Sequence, residues 1–184
     1  MKNVLIAGIL AGVALFVWGA LFWAVLPTAN LGFASLDADT SAELGRAVQT
    51  SVTEAGTYLL PDAELPFEEY QNRHLDGPVA MLFVQPGGMQ AMPPSTFGKG
   101  LLHFVLVGIL AAALLKMTSP AFTGFAQRFL FVVLCFGLAV ALTDLNGPIW
   151  WHNPPAFHAV TALFHLSGGA LAAAVLAFFV SDNA

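Results

Sequence analysis

Three of the five histidines in this chain fall inside one stretch, GPIWWHNPPAFHAVTALFH, residues 147–165. Imidazole is a general base, a proton carrier and a metal ligand. His152, His158 and His165 therefore raise the question of what chemistry the chain supports. His103 opens one apolar run and Asp144 ends another, so folding into antiparallel helices would carry both toward the same end as His152 and His158. Imidazole with carboxylate suits Zn, Cu or Fe. His103, Asp144, His152 and His158 are the candidate metal site, with Cu or Zn as the transition metal. No HxxxH, HxH or ExxH pair reinforces it. Hydrogen bonding to neighbouring helices or water accounts for the same histidines without a metal.

Other ligand arrangements are weaker. His158 and His165 are seven residues apart and share one helix face, two turns apart, which is too far to bind one ion together. His103 and His165 would be the axial pair of a b-type haem. His165, however, lies about 15 Å along its helix and His103 nearer the surface, so their depths do not match. Met89 and Met92, with Met81 and His74 nearby, offer soft thioethers to Cu(I), although a single Met pair in an apolar loop equally suits packing. No nucleophile–base motif, phosphate loop or HExxH occurs, so the residues favour a non-enzymatic role.

The elements that must position these residues are set by solvent. The chain has 184 residues, 58% hydrophobic and 9% charged, where a soluble domain carries about 25% charged residues. So few charges cannot coat a water-facing surface, and lipid must be the main solvent. A net charge of −5 without clustered Lys and Arg excludes nucleic acid as partner. The single cysteine, Cys135, lies in an apolar run as a packing residue and cannot form an intrachain disulfide.

A hydrocarbon layer of about 30 Å needs roughly 20 apolar residues as helix. Four runs qualify or nearly so: 4–26, 101–117, 129–145 and 157–180. The first is too long for the core of a cleaved leader, roughly 7–15 residues, and reads as a retained helix. Pro27, Ser119-Pro120 and Asn146-Gly147-Pro148 supply stops, and Asn153 with Pro154 or Pro155 suits the start of the last helix. The fold class is an all-α membrane protein, a four-transmembrane-helix bundle with a small α+β extracytoplasmic insertion between helices 1 and 2. Its parts are 1–26, the insertion 27–98, and 99–184.

Lys2, Lys116 and Arg128 flank alternate connections, while the connection between the third and fourth spans has no Lys or Arg. That bias places both termini in the cytoplasm and the acidic 27–98 segment in the periplasm of a bacterial inner (plasma) membrane. Lys99 lies on the other side and snorkels to the interface. Trp150-Trp151, with Trp18 and Trp23, suits membrane interfaces.

Within the insertion, DTSAELGRAVQTSVTEAG reads as a helix, with Thr40 and Glu43 as a capping box and Gly56 as the stop. Leu44, Val48, Val52 and Ala55 form its apolar stripe. TYLLP (57–61) and PVAMLFVQP (78–86) read as strands that pair, with the polar FEEYQNRH between them as a turn or short helix.

Small residues form the last constellation. Gly8 and Gly12, Gly108 with Ala112, and Gly168 and Gly169 in SGGALAAA let helices approach closely. They serve packing among the four helices or docking of a partner's helix. The reading is a small accessory or scaffold subunit of a larger membrane complex, with lipid and other membrane subunits or its own copies as partners. The alternative is a metal- or cofactor-binding, redox-class membrane protein with its histidine site at the outer face.

Overall fold

The computed structural model describes residues 2–180, which form two compact units, Ser35–Ala91 and the remainder of the described chain. The chain is mostly helical with one small two-stranded sheet.

In the helical unit, α1 (Lys2–Ala20) runs into a π-helical turn, Leu21–Val25. The short α2 (Ala29–Gly32) follows. In Ser35–Ala91 lie α3 (Ala38–Ser51), β1 (Gly56–Leu60), α4 (Phe67–Asp76) and β2 (Ala80–Val84). The chain then re-enters the helical unit as α5 (Pro94–Thr118), α6 (Phe125–Thr143), α7 (Asn146–Trp150) and α8 (Pro155–Phe179). Four helical segments, Lys2–Val25, Pro94–Thr118, Phe125–Trp150 and Pro155–Phe179, are long and apolar enough to cross a membrane. At about 1.5 Å per residue, the 25 residues of α8 exceed a layer of about 30 Å.

These helices lie in a row rather than a closed square. α1 packs along α5 on one side and α8 on the other, and α8 packs in turn along α6, while α5 makes little contact with α6 or α8. The core along this row is built from Ala7, Ala11, Leu15, Ala112, Leu115, Val132, Ala172, Ala173 and Leu176. Alanine dominates because helix axes held close leave no room for larger side chains. A second cluster is aromatic: Phe22, Val160 and Phe164 with Trp18, Trp23 and Phe104 against them. The extra residue of the π turn lets Phe22 and Trp23, adjacent in sequence, both meet the Phe164 ring, at 5.3 and 5.7 Å between centroids.

The small residues expected to pack helices are used inside the chain. A Cβ added at Gly8 would stand 2.7 Å from the Ile109 backbone. One at Gly12 would overlap the Val105 backbone, and one at Gly108 the carbonyl of Gly8. Gly168 faces Leu15 and Trp18, and Gly169 faces the Phe136 ring. All five glycines are thus occupied by neighbouring helices of the same chain. Trp18 also departs from an interfacial role: its indole N–H donates to the Ser167 hydroxyl at 3.1 Å, a bond between α1 and α8.

In the smaller unit the two strands pair antiparallel, Gly56 opposite Val84 and Leu60 opposite Ala80. The FEEYQNRH segment is α4, closed by Gly77 at φ +68, a left-handed conformation that favours glycine. The cap of α3 corrects the sequence reading. Asp37, not Thr40, is the N-cap, and its carboxylate accepts from the Thr40 N–H at 2.9 Å and the Thr40 hydroxyl at 2.6 Å. Two oxygens on Asp37 satisfy both donors of Thr40, whereas a capping threonine would leave its own N–H open. α3 also ends at Ser51, earlier than Gly56, and Val52 and Ala55 lie beyond it. The unit boundary falls at Ser35–Ala91, inside the expected 27–98, because α2 packs on α8 and the Phe33 and Phe157 rings meet at 5.2 Å. α5 likewise begins at Pro94, so its polar first turns extend the helix past the apolar run.

Candidate functional site

The site is built on the hairpin of α6, α7 and α8. α6 ends with Asp144 at its C-cap, and α7 turns the chain. Gly147 is the pivot of that turn. Its carbonyl accepts from the N–H groups of Trp151 (3.0 Å) and Asn153 (3.2 Å). Its missing side chain leaves space that the His158 imidazole fills. Pro154 then caps α8 and Pro155 stands at its first position, where no amide donor is wanted. Asn153 was expected to cap α8; its side-chain amide instead donates to His158 Nε2 at 3.2 Å. His152 adopts φ +54 in the turn, a conformation for which histidine is better suited than most residues.

The hairpin brings Asp144 to His165. Nδ1 of His165 lies 2.7 Å from Oδ2 of Asp144. The Thr143 hydroxyl, already bonded to the Ala139 carbonyl at 2.9 Å, lies 3.4 Å from the same carboxylate oxygen. Asp144 is 5% exposed, whereas the His165 side chain is 44% exposed. The pair therefore has a buried carboxyl end and a half-exposed imidazole. A carboxyl group bonded to one ring nitrogen orients the imidazole.

The four candidate ligands are placed differently from one another. Asp144 is paired with His165, His158 is held by Asn153, His152 stands in the turn, and His103 lies on α5 with its ring 5.1 Å from Phe104. Among the described residues, no group of three or more His, Cys, Asp or Glu side chains is gathered as a metal ion would require. α5 and α8, which carry His103 and His165, make little contact with each other.

Asp144 with His165 is the pair that sequence reasoning missed. Asp144 stands ten residues before Pro154 and His165 ten residues after Pro155. Because α6 ends at Thr143 and α7 spans only Asn146–Trp150, that equal spacing does not by itself set the two at one height.

The chain matches no protein-family model, no curated protein and no solved structure.

Proposed function

We propose that the chain is a non-enzymatic accessory or scaffold subunit of a larger membrane complex. Its four helices cross a bacterial inner (plasma) membrane with both termini cytoplasmic, and the 27–98 segment docks on a partner protein in the periplasm. The carrying observation is the lack of a core in the Ser35–Ala91 unit. Of its residues only Pro61 is buried, while Leu44, Phe67 (73%), Leu75 (85%) and Phe83 (79%) are exposed. A two-stranded hairpin is marginal in water by itself, and ordering each backbone residue costs about 1–2 kcal/mol. A unit with secondary structure and no apolar interior draws that stability from another surface. Exposed apolar side chains on such a scale mark interaction sites.

The basic flanks support the orientation, since Lys2, Lys116 and Arg128 fall at one side of the helix row when the spans alternate. Docking through the small-residue helix faces is not part of this proposal, because those faces are filled within the chain.

Amide exchange on the full chain tests it. In the purified single chain, the amides of Gly56–Leu60 and Ala80–Val84 should exchange freely, and in native membranes they should be protected. Equal, strong protection in the isolated chain would contradict a borrowed core. A second reading, binding of a cofactor through histidine, draws its support from the Asp144–His165 pair.

A further inference from the structure

A guanidinium keeps its charge at every ordinary pH and holds out a fork of N–H donors. Arg128 is half-buried on α6, and its Nε is covered with no hydrogen-bond partner among the described residues. It stands one turn before Val132, which is 1% exposed, and so on the side of α6 that meets the core. Arg128 is also the fourth residue of α6, at the end where the helix dipole is positive and a cation is disfavoured. That first turn holds no acidic residue. Among the described residues of the helical unit the one carboxyl side chain is Asp144, about 24 Å further along α6. The arrangement calls for an anion that these residues do not supply.

Helix register shows what else lies at that end of the row. Gly8 faces Ile109 and Gly12 faces Val105, so the antiparallel pairing of α1 and α5 brings Lys2 level with Leu115 and its neighbour Lys116. Gly168 of α8 faces Leu15 and Trp18, which sets the end of α8 beside the start of α1. Gly169 faces Phe136, and that register carries Arg128 to the last turn of α8. Lys2, Lys116 and Arg128, half of the six Lys and Arg in the chain, therefore gather at one end. A zwitterionic headgroup would bring its own ammonium to this cationic place, whereas an anionic phospholipid brings phosphate oxygens with no such charge. Arginine takes phosphate through two parallel N–H···O bonds, and basic sites among membrane helices on the cytoplasmic side suit anionic headgroups.

We propose that this end of the helical unit binds the headgroup of an anionic phospholipid, with the Arg128 guanidinium on its phosphate oxygens and Lys2 and Lys116 adding positive charge around it. The site rests on the reading that the four helices cross a membrane. Co-flotation of the full chain with phosphatidylcholine vesicles checks that reading separately. A chain that does not float overturns the membrane reading, and one that floats without distinguishing lipids overturns the site alone.

The test is nitrogen NMR on the full chain in dodecylmaltoside micelles, labelled at arginine. The arginines are Arg46, Arg73 and Arg128, and the Arg128 Nε–H is identified by its loss in Arg128→Lys. Phosphatidylglycerol is titrated in, with phosphatidylcholine and inorganic phosphate as the comparisons. The expected result is a saturable movement of the Arg128 Nε–H with phosphatidylglycerol, an apparent affinity about tenfold weaker for the other two, and Arg46 and Arg73 unmoved. By native mass spectrometry Arg128→Gln should retain phosphatidylglycerol about tenfold less well than the wild type while keeping its helicity, with Arg128→Lys between the two. No movement with phosphatidylglycerol, or equal movement with phosphatidylcholine or inorganic phosphate, would overturn the site. So would an Nε–H that phosphatidylglycerol leaves in place and Asp182→Asn shifts, which would assign Arg128 to a carboxylate of its own chain.

Discussion

Asp144 and His165 do not contribute equally to the hairpin, because one is nearly buried and the other half exposed. Stripping a partner from a fully buried ion pair costs about 3–5 kcal/mol, while hydrogen bonds between membrane helices average about 0.6 kcal/mol. His165→Leu should fall between these, at about 2 kcal/mol, because only the Asp144 end of the pair is buried. Unfolding in a denaturing-detergent titration measures it. The double variant Asp144→Leu with His165→Leu should recover most of the loss, and an additive loss would show that the two residues do not act together. A second residue-scale consequence concerns Asp37. Hydrogen bonds from the Thr40 hydroxyl and then the Thr40 N–H hold its carboxyl below its ordinary value. A carboxyl lowered on folding supports the folded form fully above its ordinary value, and that support is lost as pH falls through the lowered one. The first turn of α3 should therefore fray only on acidification below the ordinary carboxylate range, read as faster exchange of the Thr40 amide. In Asp37→Ala the fraying should be present at neutral pH.

At the scale of elements, the glycines separate into two kinds. Gly12 and Gly108 stand where a Cβ meets the backbone of the neighbouring helix, and backbone cannot move aside as a flexible side chain can. Gly12→Ala should cost about 1–3 kcal/mol through overpacking, with α1 and α5 separating first, which a cysteine cross-link across their contact would report. Gly45 lies inside α3 with nothing within 4 Å. Gly45→Ala should raise the helicity of α3, by about 0.5–1 kcal/mol of propensity. The four spans were legible from hydropathy, and so were the paired strands, since chain composition changes sharply at Pro and Gly. The ends were less legible. α5 starts at Pro94 with polar residues such as Ser95 and Lys99 in its first turns, and no apolar pattern marks them. The destination of the histidines was illegible for a different reason. A tight turn around Gly147 aims His158 back at Asn153 and leaves Asp144 to His165, and that direction depends on three-dimensional geometry rather than residue type.

On the scale of the whole molecule, one helical unit has its own core and the Ser35–Ala91 unit has none. The helical unit is fastened by close backbone contacts, an aromatic cluster and the Trp18–Ser167 bond. The Ser35–Ala91 unit has local order only: a capped helix, a strand pair and the Glu69–Arg73 pair at 2.6 Å, which at an exposed site contributes well under about 1 kcal/mol. That division of labour is what a subunit needs if the membrane part anchors and the external part engages. The mass of the native assembly tests this most directly. Extracted gently from its own membrane, the chain should run as a complex heavier than its 19.4 kDa, and Phe83→Asp in the exposed strand face should return it to a single chain with its helices intact. A wild-type protein that is already a lone chain, with an ordered and protected external unit, would contradict the account.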